Sequence, residues 1–243
     1  MKHDADLTAP IPDHLGRGDP RLYLRQALAR DVRLLPLFRF FASADGDRWP
    51  RSSTGICIDG FPRSGNSWAV ATFRKWNPNV LISHHLHAPG PVIAALKQRI
   101  PTAVLIRDPA DAVTSYLIYR RGAISVRCAL AAYISFYLPL MRYRDKFVLC
   151  PFDDVIADPR SIVSRVNSQF GTNFHCSPLD AQSRSEVQDE IKSRGRALGV
   201  DLRYQAAVPQ AERVALAREV KRQVVANSLY VRAQVTYREI AAP

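Results

Sequence analysis

A chain of 243 residues that is 47% hydrophobic and 23% charged suits one domain spanning 1–243, with a sizeable core. Its formal charge of +12 calls for an anionic partner. The basic residues are nevertheless dispersed, without a helix-turn-helix, zinc-finger or RRM pattern, which excludes the usual nucleic-acid binders. No apolar run nears the roughly 18–20 residues of a membrane-spanning helix. The start, Met1-Lys2-His3-Asp4-Ala5-Asp6, lacks an apolar signal core, and Cys57, Cys128, Cys150 and Cys176 show no C-x-x-C spacing. Export, a disulfide framework and a zinc site are therefore not expected, and the expected compartment is cytoplasmic.

Residues 1–50 read as an extension. Residues 1–19, rich in Pro, Gly and Asp, form an irregular arm. From Arg21 to Phe41, Leu22, Leu24, Leu28, Leu34, Leu35 and Phe38 mix with Arg25, Arg30, Arg33 and Arg39 in a helical pattern that Pro36 should kink. Such a basic helix either packs on the domain with its arginines in water or makes peripheral contact with an anionic membrane.

Next comes an alternation of strands and helices. Gly55 to Asp59 is a short apolar run that reads as a buried strand, and a helix should begin near Ser64 or Gly65. Asn79 to Ser83 is a second strand, delivering His84, His85 and His87 at its end; Pro89-Gly90-Pro91 breaks the chain before a short helix from Val92 to Arg99. Thr102 to Ile106 is a third strand, nearly continuous in aliphatic residues, as when both faces are covered. Asp108 is placed to cap a following helix, with Pro109 in its first turn and an end near Arg121. A helical stretch from Ile124 to Arg144 is interrupted by Pro139, Phe147 to Cys150 is a fourth strand, and Asp158-Pro159 opens a helix that stops at Gly171. Residues 177–208 carry no clear pattern, and Gln210 to Ala226 reads as a helix. The whole predicts an α/β fold: an open, mainly parallel sheet flanked by helices, P-loop-like, with ligands at the carboxyl ends of the strands.

The stretch Gly60-Phe61-Pro62-Arg63-Ser64-Gly65-Asn66-Ser67-Trp68 organises the rest. A strand feeding a glycine-containing loop and then a helix N-terminus is an anion site, since free backbone N–H groups converge there. Gly60, Gly65 and Ser67 keep the frame of G-x-x-x-x-G-K-[ST], but Asn66 replaces the lysine that a kinase or ATPase uses on the outer phosphates.

Pro62-Arg63-Ser64-Gly65-Asn66-Ser67-Trp68 resembles the P-[KR]-S-G-x-[ST]-W loop of the sulfotransferases that use 3′-phosphoadenosine 5′-phosphosulfate (PAPS). The resemblance implies that Ser64, Gly65, Asn66 and Ser67 hold the 5′-phosphate, that Trp68 stacks on adenine, and that Arg63 meets charge on the oxygen leaving sulfur. Arg107-Asp108-Pro109 with Ser115 resembles the second signature of that family, in which arginine and serine hold the 3′-phosphate. Ser83-His84-His85-Leu86-His87 is similar to the family's K-T-H-L-P-like segment and implies that His85 is the base, although its neighbours depart from the pattern and the choice among the three histidines stays open. Lys192-Ser193-Arg194-Gly195-Arg196 is the nearest candidate for the family's R-K-G-x-x-G loop, with Arg194 completing the 3′-phosphate site.

The resemblance covers roughly residues 55–172. It implies direct in-line transfer to a hydroxyl or amine, leaving 3′-phosphoadenosine 5′-phosphate (PAP), with no metal. The acceptor (glycan, lipid or small molecule) is unidentified. A P-loop kinase and a non-catalytic adenosine-phosphate binder are the competing readings.

Overall fold

The computed structural model describes residues 48–121, 123–197 and 211–242. The arm and basic helix expected over 1–50 lie outside these residues, apart from 48–50, as does the stretch 198–208.

Four parallel strands, β1 (Ile56–Gly60), β2 (Ile82–His84), β3 (Thr102–Ile106) and β4 (Val148–Pro151), lie in the order β2-β1-β3-β4. The chain leaves central β1 for β2 on one side, then crosses back to β3 on the other. A crevice at the carboxyl end of the sheet follows from that reversal. Successive strand residues face opposite ways. Ile56, Ile58, Ala103, Leu105, Val148 and Cys150 join one buried cluster, while Cys57, Val104, Ile106 and Leu149 join the other. Both faces are therefore dry, and the strands carry aliphatic side chains almost throughout. Each such side chain contributes about 1.5–3 kcal/mol on burial.

One face is covered by α1 (Asn66–Trp76), α5 (Phe152–Ala157) and α6 (Pro159–Phe170), with α7 (Ala181–Ala197) against α1. The other carries α2 (Pro89–Lys97), α3 (Pro109–Tyr119), α4 (Val126–Tyr137), α8 (Ala211–Ala226) and α9 (Tyr230–Ala241). The alternation of strands and helices thus produces the α/β sheet expected from the sequence.

Differences from expectation have local causes. Pro89-Gly90-Pro91 does not break the chain but forms the first turn of α2, where proline's missing N–H costs nothing. At Pro139 the helix tightens, and a 3₁₀ segment (Leu138–Lys146) replaces its continuation. The patternless region contains α7, a polar helix whose buried side includes only Val187 and Gly195, too narrow a stripe to read as a period. Helix α9 was not anticipated; Ala233 and Ile240 bury one side of it.

Candidate functional site

The turn after β1 is built around two glycines. A Cβ on Gly60 would sit 2.4 Å from the Leu105 carbonyl oxygen, so only glycine lets β1 and β3 run side by side here. Gly65 caps α1 in the left-handed region, φ 92°, where a side chain would be strained. Between them Arg63 is also left-handed, φ 71°. The loop is held from inside. Asn66 donates from Nδ2 to the Phe61 carbonyl (3.0 Å), and the Tyr137 hydroxyl accepts from the Phe61 N–H (3.2 Å) while donating to the Leu105 carbonyl (2.8 Å). Ser64 is fully buried, with its Oγ 3.5 Å from the same hydroxyl. Burial, with only partial relief from the Ser64 and Phe61 hydrogen bonds, holds the Tyr137 phenol protonated. Asn66 and Ser64 thus direct their side chains to loop shape, and the first-turn N–H groups of α1 have no partner within the helix.

Arg107, at the end of β3, reaches across to this loop. Its Nη1 donates to the Arg63 carbonyl (3.3 Å), and its guanidinium lies 4.0 Å from the centre of the Phe152 ring. Burial pulls its pKa down, offset by Asp111, Asp153 and Asp108. The Tyr133 hydroxyl donates to the Arg107 carbonyl at 2.7 Å. Asp108 caps α3 through the N–H groups of Ala110 (2.8 Å) and Asp111 (3.4 Å) and accepts from Gln234 of α9 (3.0 Å). Nearly two turns into α3, Ser115 Oγ accepts from Arg63 Nε at 3.1 Å. Arg63 therefore links the other two, its carbonyl accepting from Arg107 and its guanidinium donating to Ser115, so that the three meet in one crook at the carboxyl end of the sheet.

The end of β2 supplies the third wall. Strand alternation continued through 83–87 would put His85 and His87 on one face and His84 on the other. Instead the strand ends at His84, and His85 (φ 57°) and His87 (φ 50°) are left-handed. The three rings form one cluster, with centroids 4.9 Å apart for His84 and His85 and 5.5 Å for His85 and His87. Asp59 imposes this turn. Its carboxylate, 1% exposed, accepts from the N–H groups of Gly60 (2.8 Å), Leu86 (2.9 Å) and His87 (3.1 Å). His84 Nδ1 and His85 Nδ1 are 2.7 Å apart, and His85 Nε2 lies 3.2 Å from Ser67 Oγ, joining the cluster to α1. His84 is pushed down to about 3, first by burial and then by Arg74, Arg48 and Arg194. Burial, then His87 and His84, also holds His85 well below the usual imidazole range. Three of the five non-glycine residues with positive φ among the described residues are Arg63, His85 and His87; strain of this kind gathers where geometry serves a site.

Trp68 and Arg194 stand apart. Trp68, in the first turn of α1, is half-buried against the core, its ring 5.9 Å from the Arg184 guanidinium, with its indole N–H buried and unpartnered. Arg194 lies on the last turn of α7, not in a loop. It pairs with Glu190 at 2.9 Å and is near enough to Arg74 and His84 to lower both, on the β2 side of the site. Among the described residues no contact joins it to Arg107 or Ser115. Asp59, Tyr133, Tyr137 and Phe152 were missed by the sequence reading. A carboxylate inside the apolar run Ile56-Cys57-Ile58-Asp59 was a signal for the first; the others act from 26 or more residues away and left none.

Fold and site together define an α/β chain whose arginines and histidines gather at the carboxyl end of a parallel sheet. No family model matches the chain, and no curated protein matches it. Among solved structures it is similar to mouse sulfotransferase SULT7A1 complexed with PAP, at 10% identity and a TM-score of 0.40, over 93% of this chain and 89% of that one. Among the described residues no helix is long and apolar enough to cross a membrane, and no group of His, Cys, Asp and Glu could hold a metal ion.

Proposed function

We propose that this chain is a PAPS-dependent sulfotransferase, a single unit over 1–243 that moves a sulfuryl group to a hydroxyl or amine. The observation that carries the reading is the meeting of Arg63, Arg107 and Ser115 in one crook, although they lie up to 52 residues apart in sequence. The loop from Ser64 to Ser67 would hold the 5′-phosphate on its backbone N–H groups and the Ser67 hydroxyl. Arg107 and Ser115 would hold the 3′-phosphate. Arg63 would meet the negative charge that grows on the departing phosphate oxygen as the bond to sulfur breaks. The histidine cluster at the end of β2 would take the acceptor's proton, the resemblance favouring His85. Trp68 would face adenine, and Arg194 would add positive charge from the β2 side. The cysteines are free thiols, which suits a reducing, cytoplasmic setting.

A thermal-shift titration with PAP tests this. At a hundred times its dissociation constant, PAP should stabilise the chain by about 2.7 kcal/mol, or roughly 5–10 °C. Arg107→Ala should abolish most of that shift. Equal stabilisation by AMP, which has no 3′-phosphate, would overturn the assignment of Arg107 and Ser115. Labelled PAPS with a panel of glycans, phenols, amines and lipids would then identify the acceptor class.

A further inference from the structure

The hydrogen bonds of the histidine cluster fix where its lone pairs lie. Arg74 Nη2 is 3.2 Å from His84 Nε2, and a guanidinium can only donate. His84 Nε2 therefore accepts, and the His84 proton sits on Nδ1. That proton faces His85 Nδ1 at 2.7 Å, so His85 Nδ1 accepts in turn and the His85 proton sits on Nε2, directed at Ser67 Oγ. Both nitrogens of His85 are then committed.

His87 is oriented the other way. Its Nδ1 is 2.8 Å from the Gly60 carbonyl oxygen, which can only accept, so Nδ1 carries the proton and Nε2 carries the lone pair. The Asp59 carboxylate lies 3.4 Å from that same Nδ1, held by three backbone N–H groups. Among the described residues none hydrogen-bonds to His87 Nε2, and the side chain is 27% exposed. An imidazole with a carboxylate behind its N–H and a lone pair in front is the arrangement of a proton acceptor.

Resting on the sulfotransferase reading above, we infer that His87, faced by Asp59, takes the proton from the acceptor, and that His85 is a positioning residue that orients Ser67. The acceptor oxygen forms the new bond to sulfur as the sulfur–phosphate oxygen bond breaks. Its proton passes to His87 Nε2, giving an imidazolium opposite Asp59, and the electron pair leaves on PAP. Arg74 keeps the relay through His84 and His85 in one direction, because the arginine end cannot accept.

Long-range proton–nitrogen spectra of the full chain labelled with ¹⁵N-histidine, at pH 7, read the tautomers directly, with H85Q and H87Q supplying the assignments. His87 should show an unprotonated Nε2 and His85 an unprotonated Nδ1. With PAPS and whichever acceptor of the panel turns over, or water, H87Q should lose about 10²–10⁴-fold in rate while PAP still raises its melting temperature. H85Q, whose amide N–H can still reach Ser67, should lose less than about tenfold, and less than H85A, since one neutral hydrogen bond is at stake. The opposite tautomers, or a greater loss in H85Q than in H87Q with PAP binding intact, would overturn the inference. A wild-type chain that PAP does not stabilise would instead overturn the nucleotide reading beneath it.

Discussion

The turns that follow β2 and β3 both end at the same crevice, yet they are held in different ways. After β3 the helix start is set locally, with Tyr133 and Gln234 only adding to it: Asp108 caps the helix it opens, Pro109 suits the first turn, and Ser115 follows on a face set by the helical repeat. After β2 nothing local sets the turn. His85 and His87 are left-handed because Asp59, from the neighbouring strand, takes the N–H groups of Leu86 and His87. A site wall can thus be written in a few adjacent residues, or it can be imposed across a sheet. The second kind positions side chains that strand alternation would have sent apart.

Removing the imposed restraint should do the most damage. Asp59→Ala leaves three backbone N–H groups without their acceptor and should cost about 3 kcal/mol or more, read as a lower urea midpoint. A loss no larger than that of a surface substitution would mean that the β2 turn holds itself.

Acid should act on the same wall. The His84 pKa is about 3 in the folded chain against 6.5 for its ordinary value, so between these values the unfolded chain binds a proton that the native chain refuses. Its contribution is therefore complete above pH 6.5 and is lost as pH falls toward 3. From pH 6.5 to 5 this amounts to about 2 kcal/mol. Urea titrations at both pH values should show the difference, and H84Q should reduce it, His85, also held below the usual imidazole range, leaving the remainder; an unchanged slope in H84Q would place the acid sensitivity elsewhere.

The smallest effect belongs to the turn after β3. Asp108→Ala removes one helix cap and the acceptor of Gln234 and should cost about 1.5 kcal/mol, leaving PAP binding within a few-fold of the parent in calorimetry. A collapse of binding would show that the β3 turn depends on its cap for more than helix stability.

Much of this protein was written along the chain itself. The apolar runs at β1, β3 and β4, the caps at Asp108 and Asp158, the loop from Gly60 to Trp68 and the spacing from Arg107 to Ser115 all follow from short-range rules: period, capping, and the conformations that glycine and proline allow. Sequence reading also gathered Arg63, His85 and Arg107 at strand ends, because a parallel sheet directs them to one edge. Tertiary structure alone decided how they were oriented. The Tyr137 brace on the loop, the Phe152 ring under Arg107, the helix that carries Arg194 and the Asp59 hold on the histidines each join groups 27 to 76 residues apart, or, for Arg194, rest on a buried side only two residues wide. Hydrogen bonds and ring contacts of that reach depend on where the folded backbone brings two atoms, and no local pattern encodes that position.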